Sequence, residues 1–382
     1  MAGIAGETKC KGATKMKIGI VDADLIWKRK QRFPNLACMK ISSYYKTEGH
    51  DVELLLSYDN IEDYDKIFIS KVFTDTKVPD EILNNAKVEY GGTGFYYDNA
   101  EPLPYEIEHC KPDYNLYDEF VKLRLEKGDK PKTLEYYTNY SIGFATRGCI
   151  RRCSFCVNKN YTKCLRSSPI SEFVDKNRNY ICLLDDNVLA CKDWRKVFEE
   201  LKETDKRFQF KQGIDERLLT DEKCKTIFGS RWIGDFIFAF DNIKDKKIIE
   251  QKLKMIRKYT NRRIKFYCFC GYNHDSPDNI ESYTNDFWAN DIKDLFERIK
   301  ILISYQALPY VMRYKDYQLS PYRGLYISIA SWCNMPRCVT TLSFREFCYK
   351  KDGSTKRYLE QFEKDYPNIA KEYFDIKWSN FK

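Results

Sequence analysis

Six short apolar runs, each separated from the next by a stretch of helical periodicity, constrain the fold of this chain more than any other feature. They fall at 141–145, 180–184, 208–211, 236–240, 264–270 and 308–312. Between them Trp194, Val197, Phe198 and Leu201 recur at i, i+3, i+4 and i+7, and Ile292, Leu295, Phe296, Ile299, Leu302 and Ile303 form a second stripe. That spacing gathers apolar side chains on one helix face, which must be buried against a sheet. Strands joined through crossover helices pair in parallel. Six such units fit a partial (β/α)6 barrel of the TIM type better than an open sheet. In such barrels the chemistry sits in loops at the C-terminal ends of the strands.

A second alternation precedes this one. Residues 17–22 read as a buried strand, 34–48 as a helix closed by Gly49, 52–56 and 67–70 as strands, 79–85 as a helix, and 87–90 as a strand running into Gly91-Gly92-Thr93-Gly94. Strands alternating with helices, with glycine at strand ends, imply a Rossmann-like, doubly wound parallel sheet. The glycine turn reads as a tight connection, or as backbone approaching a phosphate. Pro102, Pro104, Pro112 and Pro131, set among charged residues, mark a linker with a short helix at 118–127. The expected α/β organisation is therefore a disordered leader over 1–15, a Rossmann-like domain over 16–98, a linker over 99–135, the partial barrel over 136–345, and a helical tail over 346–382.

The loop after the first barrel strand carries Thr146-Arg147-Gly148-Cys149-Ile150-Arg151-Arg152-Cys153-Ser154-Phe155-Cys156. Its C-x3-C-x2-C spacing offers three thiolates and no fourth. A four-iron cubane takes one cysteine thiolate per iron, so three leave one iron open to a cofactor or substrate. Arg147, Arg151 and Arg152 flank the sulfurs and would favour their thiolate form. Gly148 allows a tight bend. A zinc site needs a fourth ligand, and Cys164 would complete C-x3-C-x2-C-x7-C. A disulfide framework does not suit fifteen cysteines in a long chain whose first residues lack a hydrophobic signal core. The reading is a cytoplasmic protein, since no apolar run approaches a membrane span.

These residues resemble the radical S-adenosylmethionine (SAM) superfamily. The segments Phe33-Pro34-Asn35-Leu36-Ala37 and Glu48-Gly49-His50-Asp51-Val52-Glu53 resemble the cobalamin (B12)-binding-like domain that precedes many of its barrels. The resemblance implies a [4Fe-4S] cluster on Cys149, Cys153 and Cys156, with SAM chelating the open iron. Reductive cleavage of SAM would then yield methionine and a 5′-deoxyadenosyl radical that abstracts hydrogen from a substrate not identified by sequence. Phe155 would lie near the adenine. Asp185 and Asp186, in Leu183-Leu184-Asp185-Asp186-Asn187 after the second strand, would accept from the SAM ammonium, or else cap the next helix. Gln212 and Arg217 follow the third strand, and Arg217 would hold the SAM carboxylate or pair with Asp215 or Glu216. Gly271, after the fifth strand, matches a glycine turn against adenine, and His274 has an address at the barrel mouth. A reducing electron donor of the flavodoxin or ferredoxin kind is implied as partner.

Departures narrow this reading. The Asp-x-His-x-x-Gly cobalt-ligand motif is missing, and Asp22-Ala23-Asp24-Leu25-Ile26 holds no histidine. Cobalamin is therefore a disfavoured cofactor: the fold persists without it or holds it without a protein ligand. Cys333, Cys338 and Cys348 read as buried thiols rather than an auxiliary cluster. The net charge of +9 comes from 65 basic and 56 acidic residues mixed along the chain. Lysines interleaved with Tyr and Phe invite a nucleic-acid partner, which the lack of an RNA-binding module signature disfavours. The alternatives are a non-catalytic iron–sulfur electron-transfer or scaffold protein, and a zinc-stabilised nucleic-acid binder.

Overall fold

The computed structural model describes residues 14–28, 31–158, 160–276 and 279–381. The expected leader lies outside the described residues as far as residue 13, as do Arg29 and Lys30. The chain divides into two compact units. The first runs through Gly143 and takes up Ser168–Cys182; the second holds Phe144–Ser167 and everything from Leu183 onward. Among the described residues no helix is long and apolar enough to cross a membrane.

The first unit is built on strands β1 (Lys17–Asp22), β2 (Asp51–Leu55), β3 (Lys66–Ser70) and β4 (Val88–Gly91), all parallel in the order β2-β1-β3-β4. Alternate residues of β1 serve opposite faces. Ile18 and Ile20 pack with Cys38, Met39 and Ile41 of the helix Leu36–Thr47, while Val21 joins Ile67, Ile69, Leu55 and Ile82 on the other side. Both faces of the central strands β1 and β3 are covered, which is why these two read as nearly unbroken apolar runs. Asn35 starts the helix, its side chain accepting from the Ala37 and Cys38 amides.

The segment expected as a linker is instead part of this core. Tyr114, Leu116, Tyr117, Val121, Leu134 and Tyr137 are buried in the same cluster as Ile18 and Ile20. Its prolines punctuate turns, but the aromatic residues between them carry too much apolar area to remain in solvent. The Tyr117 hydroxyl donates to Asp22 at 2.9 Å and accepts from the Asn35 amide at 2.9 Å. Tyr114 donates to the Phe173 carbonyl at 2.6 Å and accepts from the Ile142 amide at 2.8 Å. It thereby ties the segment to β5 (Tyr140–Gly143).

The end of this sheet does not suit a histidine-ligated cobalamin. The loop after β1 folds into the short helix Ala23–Trp27. Asp24 accepts from the Val72 amide at 2.7 Å and from the Thr76 hydroxyl, tying the loops after β1 and β3 together. The two histidines of the unit are engaged elsewhere: His50 accepts from the Met16 amide and His109 pairs with Glu172.

In the second unit a two-stranded ribbon, β6 (Thr146–Arg147) with β7 (Leu165–Arg166), brackets the cysteine loop. Strand β8 (Tyr180–Leu183) enters the unit at Leu183, whose carbonyl accepts from Lys211 just beyond β9 (Arg207–Phe210). Strands β10 (Phe236–Ala239), β11 (Ile264–Cys270) and β12 (Leu308–Arg313) form a parallel sheet, with Phe238 opposite Phe266 and Tyr267 opposite Tyr310. Backbone bonds from Phe208 to Arg231, from Ile233 to Phe208 and from Ile214 to Ile237 carry the pairing from β9 toward β10.

Both expected helical stripes are buried, on Trp194–Glu203 and Asn285–Ser304. The segment expected as a tail is helical but not peripheral. Phe347, Leu359, Phe362, Tyr373 and Phe374 are buried, with Phe374 centred 4.9 Å from Phe296.

Replacing Tyr117 by Phe strands the buried Asn35 amide and removes a donor from Asp22. A loss of about 1–3 kcal/mol is expected in denaturant unfolding. No loss would mean that the segment is not integral to the unit.

Candidate active site

The cysteine loop leaves the β6 strand through Gly148, where φ is +91°. A Cβ there would fall 2.4 Å from the Lys163 carbonyl, so only glycine lets the two arms of the loop approach. The residues that hold the loop come from one short segment after β8. Asp185, fully buried, accepts from the Ala145 amide at 3.1 Å and from the Thr146 amide and hydroxyl, each at 2.6 Å. Asp186 accepts from the Gly148 amide at 2.9 Å and from the Asn158 side chain at 2.6 Å, gripping the loop just before Cys149 and just after Cys156. Asn187 donates to the Cys149 sulfur at 3.3 Å and to Asp215 at 3.2 Å.

The resemblance would aim Asp185 at the SAM ammonium. In the structure both of its carboxylate oxygens accept from the start of the loop. Burial raises the Asp185 carboxyl to about 6, against the lowering effect of those bonds.

The three cysteines are half-buried, and two of their sulfurs already receive N–H groups. Arg151 N donates to Cys149 at 3.3 Å, and Asn158 N to Cys156 at 3.4 Å. Donors on sulfur stabilise a thiolate and tune a bound cluster. The flanking arginines act less directly than their sequence positions imply. Arg147 lies over the Phe144 ring at 3.4 Å, and Arg151 pairs with Asp215 at 2.9 Å. Burial pushes the Cys153 thiol up to about 11, with Cys156 and Asp241 adding to the rise and Arg217 opposing it. A bound cation reverses that balance by taking the thiolate as ligand.

Among the described residues no three His, Cys, Asp or Glu side chains stand close enough to share one metal ion. The expected fourth zinc ligand, Cys164, is buried near Thr146 and Cys191. A cubane makes a different demand, with one thiolate at each of three separate irons. Cys333, Cys338 and Cys348 lie on three different helices, Arg323–Cys333, Pro336–Thr341 and Phe344–Lys351.

Strand ends supply the rest of the site. Phe155 stacks on Phe269 at 4.2 Å and meets Tyr272 and His274 edge-on at 5.6 and 5.9 Å. The aromatic residue of the loop is thus brought to the end of β11, beside Gly271. That glycine adopts φ +75°, donates to Asp291 at 2.9 Å, and leaves no room for a Cβ against Tyr317. Gln212 stands exposed beyond β9.

Arg217 donates to Asp215 at 2.8 Å and to Asp245 at 3.0 Å. Burial alone would raise the Asp215 carboxyl, but the bonds and charges of Arg217 and Arg151 outweigh it and hold it below its usual range. His274 is kept below its ordinary range by burial and by Arg298, so its imidazole is neutral at pH 7.

Sequence reasoning passed over several of these residues. Asn187 stands inside a segment quoted for its neighbours, and Asp215 is named only as a partner for Arg217, which it is. Asp241 is the first polar residue after the apolar run 236–240, the same strand-end signal that marks Asp185 and Gln212. It accepts from the Phe269 amide at 3.0 Å, and burial raises its carboxyl to about 6. Arg298, on the helix Asn285–Ser304, donates to the Phe240 and Phe269 carbonyls at 2.8 and 2.9 Å and ties the ends of β10 and β11 together. No strand-end rule points to it.

Two polar atoms in the site are buried without a hydrogen-bond partner among the described residues, Asn187 Oδ1 and Glu216 Oε1, the latter 3.9 Å from Arg217 Nε. Such orphans are expected where a ligand completes the hydrogen bonding.

A solved structure shares this architecture: a radical S-adenosylmethionine methyltransferase, TsrM, from Kitasatospora setae, with cobalamin and a [4Fe-4S] cluster bound. It is 12% identical, with a TM-score of 0.50, over 78% of this chain and 75% of that one. The likeness is one of fold. It carries the class expected from sequence, a Rossmann-like sheet followed by a partial (β/α)6 barrel. The same methyltransferase with tryptophan and a SAM analogue matches at 12% identity and TM-score 0.49, covering 77% of this chain and 72% of that one. A cobalamin-dependent radical enzyme, OxsB, with aqua-cobalamin and SAM bound, matches at 13% and 0.45 over 95% and 64%. No protein-family profile matches the sequence. No curated protein matches it either.

The site also sets a pH dependence. Glu216 accepts from the Ala239 amide at 3.1 Å and is pushed by burial, then by Asp215, from an ordinary 4.5 up to about 8. A carboxyl raised on folding contributes stability that is full below about 4.5 and is lost as pH rises through about 8. The slope is at most about 1.4 kcal/mol per pH unit. Glu216→Gln mimics the neutral acid, so its unfolding free energy should stay flatter than wild type between pH 5 and 8. Identical slopes would refute the assignment.

Proposed function

We propose that this chain is a radical SAM enzyme in which Cys149, Cys153 and Cys156 ligate a [4Fe-4S] cluster whose fourth iron binds SAM. One observation carries the reading. The three-cysteine loop stands at a strand end, clasped at both arms by Asp185 and Asp186, with N–H donors already on two of its sulfurs. When bound, the cluster and SAM would supply an electron transfer that splits a carbon–sulfur bond and yields a 5′-deoxyadenosyl radical.

The chain's own residues have positioning tasks. The Asp185-Asp186-Asn187 segment sets the spread of the sulfurs. Phe155, with Phe269 and Tyr272, forms an apolar wall suited to an adenine and to excluding water. Glu216 and Asn187 each offer an orphan oxygen to a donor such as an ammonium or a ribose hydroxyl. Arg217, though paired with Asp215 and Asp245, is one quarter exposed and has a planar fork suited to a carboxylate. No step is assigned to cobalamin, because the loop after β1 holds no histidine. A reductant of the flavodoxin or ferredoxin kind and a reducing, cytoplasmic setting complete the proposal, in keeping with cysteines that are all free among the described residues.

Anaerobically reconstituted protein should bind about four irons with matching sulfide and, once reduced, release 5′-deoxyadenosine from SAM. Alanine at Cys149, Cys153 or Cys156 should abolish both; undiminished release in all three single variants would end the proposal. Asp186→Ala should leave the fold intact by circular dichroism yet lower iron retention at least several-fold, because the loop loses its grip at Gly148 and Asn158. Full iron retention would show that the clasp does not set the sulfur positions.

A further inference from the structure

We infer that the second unit carries an anion site at the end of its barrel strands away from the cysteine loop, suited to a compact oligophosphate. A cavity of about 600 Å³ opens there, within the size range of small-molecule pockets. Its walls come from separate parts of the chain: Asn261-Arg262-Arg263 ahead of β11, Gln306 and Leu308 at the entry to β12, and Arg337 on the helix Pro336–Thr341. A strand rises about 3.3 Å per residue, so the cavity lies about 20 Å along β11 from Gly271 and the aromatic wall.

Its charge is unbalanced. Arg257, Arg262, Arg263 and Arg337 line the cavity, and no acidic residue does among the described residues. Arg263 donates to Asp235 at 2.5 Å, but Asp235 is shared with Lys265 at 2.8 Å. Arg257, Arg262 and Arg337 meet no carboxylate among the described residues. Burial holds the Arg257 guanidinium below its usual range, with no neighbouring charge to offset it. By contrast, Arg195, Arg217 and Arg345 of the same unit each bond to carboxylates. Cations gathered without counter-charges repel one another, and a bound polyanion relieves them.

Part of the site is already rigid. Arg257 donates to the Tyr305, Thr260, Arg262 and Gln306 carbonyls at 2.9, 3.2, 3.0 and 2.7 Å. Arg262 donates through Nη2 to the Trp232 and Gly234 carbonyls, each at 3.2 Å, and lies over the Phe236 ring at 4.7 Å. Its Nε and Nη1 groups remain for a ligand. Arg263 bonds Asp235 through Nε, which leaves its terminal nitrogens. Arg337 is exposed and its side chain bonds to nothing among the described residues, so it is free to close over an anion. Donors fixed before binding lose little freedom on binding.

The walls also select the occupant. A single-stranded nucleic acid needs exposed aromatic faces for its bases. The aromatic residue on this lining, Trp378, is only 9% exposed. A monovalent anion would leave most of the guanidiniums unmatched. An oligophosphate brings several charges within a short length, and its oxygens accept from arginine forks and from the Asn261 amide.

The test is calorimetric titration of the full chain, at one ionic strength, with sodium triphosphate, orthophosphate, citrate and a single-stranded uridine oligonucleotide. Triphosphate should bind saturably, one ion per chain, and about tenfold more tightly than orthophosphate, because it meets more of the guanidiniums. Arg257 also braces the loops, so the informative variants are Arg337→Ala and Arg263→Gln. Each should weaken triphosphate several-fold, and the two together about tenfold or more, with circular dichroism and the anion-free melting temperature unchanged.

The proposal is overturned by the absence of saturable binding at millimolar triphosphate, by orthophosphate binding equally well, or by wild-type affinity in both variants. It is likewise overturned if citrate or the oligonucleotide displaces triphosphate at lower concentration, which would assign the cavity to a polycarboxylate or to nucleic acid.

Discussion

The candidate site depends on a pair of adjacent carboxylates bonding to the backbone of a loop that has no regular structure of its own. Asp185 satisfies the amides of Ala145 and Thr146 where the chain leaves β5, and Asp186 spans the loop from Gly148 to Asn158. Buried amides outside a helix or sheet need partners, and a carboxylate accepts several at once. Charge-assisted bonds of this kind are about twice as strong as neutral ones. They fix the positions from which three thiols emerge without spending any thiol on the task. Asn187 extends the same segment to the Cys149 sulfur, so loop shape and sulfur environment are set by three consecutive residues.

Around that clasp the charges are sorted by burial and pairing. Asp215 is ionised between two arginines, Glu216 beside it is neutral at pH 7, and Asp241 lies between these extremes under the influence of Arg298. Neighbouring acids held in different protonation states are the arrangement expected where a protein must bind a cationic group without itself becoming strongly anionic. The aromatic wall of Phe155, Phe269 and Tyr272 supplies the low-polarity side of the same space.

Several of these features were legible in the chain. The apolar runs matched the strands to within a residue or two at their ends, because burial on both faces leaves an unbroken apolar signature. The stripes at Trp194 and Ile292 matched buried helix faces for the analogous reason. The cysteine spacing and Gly148 were equally plain. Two readings failed in an instructive way. Residues 99–135 looked like a linker because prolines and charges dominate their composition, yet Tyr114 and Tyr117 bury their rings and use their hydroxyls inside the sheet core. The last residues looked peripheral because charged residues dominate their composition, while Phe347, Phe362, Tyr373 and Phe374 among them are buried.

The sequence by itself determined the parallel α/β architecture, the loop that carries the thiols, and the absence of a histidine after β1. These follow from periodicity and from residue identity within a few neighbouring positions. Only the tertiary structure decided which carboxylates face the loop backbone, which arginine charges are already neutralised, and that Arg298 joins two strand ends. Each of those depends on side chains brought together from distant parts of the chain, and hydrogen bonding and desolvation act over a few ångströms of space whatever the separation in sequence.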